Sequence, residues 1–224
     1  MKAGNCAYRC PEDLPAIIPV FPLPGALLLP RSELPLNIFE PRYLAMVSDA
    51  LSGDRLIGMI QPDDDDADLS GSPALKQVGC AGRITSYTET PDGRILITLS
   101  GICRFAVTRE ISSDKPYRQI EADFSGFAGD LEDAEDEDAV DRTSLLKVFR
   151  DYLTANDMSA DWDQVREAST EALVNTLAVL APHAPRDKQA LLEAKDLKSR
   201  ADVLIALTEM ALARQGSGPT SGLQ

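Results

Sequence analysis

Short apolar segments interrupted by prolines occupy residues 17–39. Apolar residues cluster at 17–23, 27–29 and 34–39, and prolines stand within or beside each cluster. Each cluster has the length and composition of a β-strand. Because proline has no main-chain N–H to donate, such strands fit the edge of a sheet better than its centre. The pattern predicts three short strands joined by wide loops, as in a small irregular barrel.

A helix and further strands follow this region. Pro41 suits the first position of a helix, and apolar residues continue at helical spacing to Leu51, before Gly53 ends the pattern. The sequence TPDG at 90–93 is typical of a hairpin turn. Alternating or continuous apolar runs predict five more strands, at 55–60, 77–87, 94–99, 104–107 and 117–124.

After Phe127 the pattern changes from strand to helix. The stretch 130–141 is rich in aspartate and glutamate and holds no basic residue, which indicates a linker or the charged start of a helix. Asp161 or Ser159 is a candidate N-cap within the region that follows. Apolar residues at helical spacing predict four helices, over 145–152, over 162–180, from Pro185, and over 197–212.

The predicted fold class is therefore α+β, with a β-barrel followed by an all-α helical bundle. The predicted segments are a flexible N-terminus (1–14), the barrel domain (15–127), the acidic linker (128–141), the helical domain (142–214) and a flexible tail (215–224).

Charge is concentrated in two acidic runs. The formal net charge is −14, from 36 acidic and 22 basic residues, and the runs at 63–68 and 130–141 account for most of the excess. An acidic chain repels phosphate backbones, and the 5% aromatic content leaves few side chains on which bases could stack. We therefore expect no nucleic-acid partner.

The first residues, MKAGNCAYRCPEDLPA, lack the apolar core of a secretory signal, and no apolar run is long enough to span a membrane. We expect no membrane association and a cytoplasmic protein with reduced thiols.

Residues that could carry chemistry are few. His183 is the single histidine, and no phosphate-binding GxxxxGK motif occurs. Cys6 and Cys10 could form half of a zinc site, but Cys80 and Cys103 lie in strand-like sequence, where buried thiols are the simpler interpretation. The aspartates at 63–68 lack the residue order of a calcium-binding loop. We expect no catalytic residue, no metal and no cofactor.

Three segments resemble the Lon protease N-terminal domain. They are VFPLPGALLLPRSELPLNIFEPRYLAMV at 20–47, GCAGRITSYTETPDGRILITLSGICRFAV at 79–107 and DKQALLEAKDLKSRADVLIALTEMAL at 187–212. The resemblance covers 15–214 and implies a PUA-like barrel, a helical bundle and recognition of protein substrates. The residues that carry the family motif are interpreted as structural: Pro22, Pro24, Gly25, Glu40, Pro41, Arg42, Tyr43, Gly93 and Arg104. We expect Glu40 to pair with Arg83 or Arg104.

Full-length proteases of this family continue into an AAA+ motor and a Ser-Lys peptidase domain. A chain of 224 residues has no room for either, so we expect a free-standing, non-catalytic form. Ser221 stands in a glycine- and proline-containing context like that of the family's catalytic serine, but we interpret it as part of the tail. Trp162 is expected to pack in the core of the helical domain.

The hypothesis from sequence is a module that binds unfolded or tagged polypeptides, as an adaptor in protein quality control, with a protease or chaperone acting in trans. We expect Pro35 and Pro41 to interrupt strand pairing and leave an irregular edge that offers peptide contacts. The predicted contact residues are Leu34, Leu36, Ile38 and Phe39. The alternative is a small hydrolase or RNA-binding protein that uses the same barrel. The sequence indicates no oligomeric state.

Overall fold

The computed structural model describes residues 1–63, 73–132 and 137–216, and the chain divides into two compact units, Met1–Ala134 and Glu135–Gln224. The division falls inside the predicted linker 128–141 instead of at its ends. The predicted tail begins inside the last helix, which ends at Gly216, and its remaining residues 217–224, including Ser221, lie outside the described residues, as do most of the aspartates at 63–68.

The described part of the first unit holds eight strands and one α-helix, α1 (Pro41–Ser52), which follows the fourth strand. The strands are β1 (Lys2–Ala3), β2 (Cys6–Ala7), β3 (Ile17–Pro22), β4 (Glu33–Ile38), β5 (Leu56–Ile60), β6 (Val78–Glu89), β7 (Ile95–Ile111) and β8 (Gln119–Asp123). The two strands predicted at 94–99 and 104–107 are parts of one long strand, β7, which a register shift beside Gly101 bends rather than ends.

Five strands close into a ring. The pairing order is β7-β6-β5-β3-β8, and β8 pairs again with the second half of β7. β3 and β5 are parallel, and every other pair in the ring is antiparallel. β4 joins the first half of β7 outside the ring. The predicted class, α+β with a β-barrel followed by helices, is confirmed.

The apolar run 27–29 is buried but forms no strand, contrary to the prediction. It packs on the barrel where Gly82 pairs with Gly101. A Cβ at Gly101 would lie 2.0 Å from the Leu29 carbonyl oxygen, and one at Gly82 would lie 2.7 Å from Leu28 Cδ2. The two facing glycines therefore leave the space that this loop fills.

Residues 1–14 pack against the barrel, so the prediction of a flexible N-terminus is wrong. The Met1 ammonium group donates to the Tyr8 carbonyl at 3.1 Å and to the Leu131 carbonyl at 2.6 Å. Ala3, Tyr8 and Leu14 belong to the buried core. These three buried residues are scattered among polar ones, so the composition of the segment did not indicate that it packs on the barrel.

The second unit is helical throughout its described part. Its helices are α2 (Arg142–Ala155), α3 (Trp162–Glu167), α4 (Thr170–Leu180), α5 (Pro185–Glu193) and α6 (Leu197–Gly216), and α6 contacts α2, α4 and α5. Asp161 is the N-cap of α3, as predicted. The single helix predicted over 162–180 is two helices, because Ser169 caps a new one. No helix in the described ranges is long and apolar enough to cross a membrane.

Glu137, in the acidic stretch, and Arg142, just after it, form hydrogen bonds with main-chain groups where α3 ends and α4 begins. The Glu137 carboxylate accepts hydrogen bonds from the N–H groups of Thr170 and Glu171, at the positive end of the α4 dipole. The Arg142 guanidinium donates to the carbonyls of Val165 and Ala168 at 3.3 and 2.7 Å. The end of the predicted linker is thus part of the helical unit.

Candidate functional site

β4 lies at the edge of the sheet, as the prolines predict. Among the described strands its partner is β7 alone. Leu34 and Leu36 are half-buried on one face, and Phe39, just beyond the strand, is 61% exposed. Ile38 is 1% exposed and belongs to the core, so the structure removes it from the predicted contact residues.

The prolines do not interrupt this strand. Pro35 pairs with Thr98 within an unbroken register from Glu33 to Ile38. Pro41 is the first residue of α1 and stands outside the sheet. The prediction that Pro35 and Pro41 break the pairing is therefore wrong, although the edge position itself is correct.

One further exposed apolar side chain lies on the same face of the sheet as Phe39. Leu96 pairs with Asn37 of β4 and is 45% exposed, whereas the exposed Tyr87 of β6 pairs with Ile97 and therefore lies on the opposite face. The Arg94 guanidinium stands 5.8 Å from the centre of the Phe39 ring. We call Phe39 and Leu96 the apolar edge patch. Its large side chains and single cation suit an apolar ligand better than a charged one.

Glu40 and Arg42 pair with each other. Arg42 Nη2 lies 2.8 Å from Glu40 Oε2, and both side chains are exposed. The predicted pairing of Glu40 with Arg83 or Arg104 is wrong, because Arg83 donates instead to the Asp54 carbonyl at 2.6 Å. An exposed ion pair of this kind contributes little to stability.

Arg104 forms a buried ion pair with Asp130. Its Nε and Nη2 atoms donate to the two carboxylate oxygens at 2.9 and 2.8 Å, and its main-chain N–H donates to Asp130 Oδ2 at 2.9 Å. The guanidinium also lies 4.9 Å from the centre of the Phe127 ring. Arg104 thus fixes the segment after β8 against β7, which is a structural role.

The remaining motif residues shape turns and the packing of α1. Gly25 and Gly93 have φ values of +71° and +81°, a region that residues with a Cβ rarely adopt. The centre of the Tyr43 ring lies 4.0 Å from the centre of the Phe21 ring, and this contact packs α1 against β3. Pro22 ends β3, opposite Ile60, and Pro24 follows in the turn. None of these residues belongs to the apolar edge patch.

In the helical unit, His183 borders a cavity of about 30 Å³ that Tyr152 and Thr208 also line. This volume has room for about two water molecules. Burial lowers the pKa of His183, which favours the neutral imidazole. Trp162, predicted to be a core residue, is half-buried. The centre of its ring lies 6.2 Å from the centre of the Phe149 ring.

The cysteines do not come together as metal ligands in the described residues, which contain no group of three or more His, Cys, Asp or Glu side chains able to hold a metal ion. Cys80 and Cys103 are fully buried in β6 and β7, whereas Cys6 and Cys10 are partly exposed. Burial raises the pKa of the Cys103 thiol to about 12, and the charge of Asp130 adds to this effect.

We expect iodoacetamide at pH 8 to modify Cys6 and Cys10 in the folded protein and to leave Cys80 and Cys103 unmodified. Burial shields Cys80 and Cys103 from the reagent, and at Cys103 the raised pKa also lowers the fraction of the reactive thiolate. Peptide mass spectrometry before and after denaturation in urea would measure the four sites. Rapid modification of Cys103 in the folded protein would contradict the burial of this thiol in β7.

Residues 17–209 match the family model described as the ATP-dependent protease La (LON) substrate-binding domain. The chain belongs to this family. The resemblance to the Lon N-terminal domain is therefore confirmed over most of the sequence.

Curated Lon proteases match along nearly the whole chain. The protein is 30% identical over 219 residues to Lon protease 2 of Sorangium cellulosum and 25% identical over 199 residues to Lon protease 2 of Myxococcus xanthus. These alignments cover 92% and 88% of this chain but only 26% and 24% of the relatives. The chain thus spans about a quarter of the length of the curated relatives it matches.

Two solved structures share the fold. A Lon N-terminal domain protein from Xanthomonas campestris is 26% identical, with a TM-score of 0.58 over 85% of this chain and 97% of that one. The N-terminal domain of the Mycobacterium avium complex Lon protease is 18% identical, with a TM-score of 0.64 over 86% and 98%.

Sequence reasoning missed one member of the apolar edge patch in this LON substrate-binding domain, Leu96. Leu96 follows Ile95 and precedes Ile97, so three consecutive apolar residues occupy both faces of one strand. That pattern was available as a signal, because a one-sided strand alternates apolar and polar residues.

Proposed function

We propose that this LON substrate-binding domain binds unfolded or extended polypeptides at the β4 edge and the apolar edge patch, and that it is not itself catalytic. The observation that carries the proposal is Phe39, a large apolar side chain that is 61% exposed beside a strand with an open edge. Such an arrangement combines a side-chain anchor with main-chain hydrogen-bonding groups, and both are used in peptide recognition.

Two further observations support a binding role without catalysis. The family model that matches the chain describes a substrate-binding domain. The sole histidine lies beside a cavity of about 30 Å³, which is too small for a peptide substrate. We propose an adaptor role in protein quality control, in which a protease or chaperone acts in trans on the bound polypeptide. The cytoplasmic location remains a prediction from the sequence.

We expect fluorescein-labelled casein, an unfolded polypeptide, to bind with a Kd on the order of micromolar, since the site has no deep pocket. Phe39→Ala should weaken binding about tenfold, because truncating an aromatic anchor removes most of its contact area. Fluorescence anisotropy would measure both constants.

Met210→Ala is the matched control, because it truncates an apolar side chain that is 53% exposed in the helical unit. It should leave the Kd unchanged. Binding that is equal in the parent and in Phe39→Ala would refute the site, and a parent that binds no casein would refute the proposed function.

A further inference from the structure

The main-chain groups along β4 alternate between pairing with β7 and facing outward. Just before the strand, the Gly101 N–H donates to the Ser32 carbonyl at 2.9 Å, and the register places these two residues opposite each other. In an antiparallel ladder, hydrogen-bonded and non-hydrogen-bonded pairs alternate. The N–H and C=O groups of Leu34, Leu36 and Ile38 therefore bond to β7.

The main-chain groups of the intervening residues Glu33, Pro35 and Asn37 face the outer edge. No described residue forms a hydrogen bond with them, and all three residues are exposed. Glu33 and Asn37 each offer a donor and an acceptor. Pro35 offers a carbonyl but no N–H, so the middle donor of the three is missing.

We propose that polypeptide adds to this edge as a further β-strand, and that Pro35 limits its affinity by withholding the middle hydrogen bond. This inference rests on the proposed function and specifies how the bound segment is held. An added strand would bond to Glu33 and Asn37 on both sides of Pro35, and five of the six possible hydrogen bonds would form. An incomplete edge also discourages pairing between two copies of the chain.

The side chains of β4 define the segment that fits. Residues of the added strand opposite Leu34 and Leu36 lie on the face where these leucines are half-buried, which favours apolar side chains. The residue opposite Glu33 meets a carboxylate that has no ion-pair partner among the described residues, which favours lysine or arginine. The substrate class is an extended segment with alternating apolar residues and one basic residue.

The probe is a fluorescein-labelled, capped heptapeptide that alternates threonine and valine and carries one lysine at an end. Pro35→Ala should tighten its binding about fivefold, because one hydrogen bond is added. Pro116→Ala, an exposed proline in a bend before β8, is the matched control and should leave the Kd unchanged. Circular dichroism would confirm that both variants fold.

A second arm uses the parent protein alone. The proposed strand runs antiparallel to β4. With the valines opposite Leu34 and Leu36, the threonine N–H groups make the hydrogen bonds to β4. N-methylation of the threonine nitrogens should abolish binding, and N-methylation of the valine nitrogens should weaken it less than twofold.

Strand addition would be overturned if both methylation patterns reduced the affinity for the heptapeptide equally. It would also be overturned if Pro35→Ala did not raise that affinity. Binding of casein by the parent would still support the proposed function in that case. If the parent protein binds neither casein nor the heptapeptide, the proposed function itself is overturned.

Discussion

Replacing Asp130 with alanine should lower the free energy of unfolding by about 3–5 kcal/mol, since removing one partner leaves a buried charge uncompensated. Arg104 and Asp130 form that pair with side chains only 6% and 9% exposed. The carboxylate also accepts the Arg104 main-chain N–H, so the substitution leaves three donors without their acceptor. Urea denaturation followed by circular dichroism would measure the change.

Glu121→Ala is the matched control, because it breaks another arginine–carboxylate pair, between Arg109 of β7 and Glu121 of β8, in which the arginine is 68% exposed. An exposed pair contributes about 0–1 kcal/mol. A loss of less than 1 kcal/mol in Asp130→Ala would show that the buried pair is not what holds the end of the barrel unit.

Gly101→Ala should lower the free energy of unfolding by about 3 kcal/mol, at the upper end for overpacking. The added Cβ would lie 2.0 Å from the Leu29 carbonyl oxygen and 2.9 Å from its carbon. Both contacts are to main chain, so no side-chain rotation can relieve them. The hydrogen bonds that join Gly101 to Arg31 and Ser32 would have to lengthen as the loop moves. Thermal and urea unfolding would both report the loss.

Gly126→Ala provides the control, since a Cβ there meets no atom within 4 Å. It should change the free energy of unfolding by less than about 0.5 kcal/mol. Equal stability of the two alanine variants would mean that the 27–29 loop does not rest on Gly101.

The elements that sequence predicts well are those with local signals. Pro41 marks the start of α1 at its observed first residue, and the TPDG turn joins β6 to β7 with Gly93 at positive φ. The edge position of β4 follows from its proline, because a missing N–H is tolerated where it faces solvent.

The parts that sequence misses depend on distant partners. The run at 27–29 has the composition of a strand, and only the paired glycines at 82 and 101 show that it is a buried loop. Asp130 begins an acidic run whose members look alike in sequence, yet it turns inward to Arg104. Because a buried ion pair has no spacing rule between its residues, such a partner cannot be read from one sequence.

The closure of the barrel has a consequence for synthesis. β3 must pair with β8, and Ile17 lies opposite Glu121, about a hundred residues later in the chain. At about 5–20 residues per second, the ribosome needs on the order of ten seconds to make that partner. During this interval the edge of β3 that later pairs with β8 has no partner strand. Ile18 and Val20 of β3 belong to the core of the folded barrel. The nascent barrel therefore exposes an unpaired apolar strand while translation continues. We expect a chaperone that binds the nascent chain to raise the yield of folded protein.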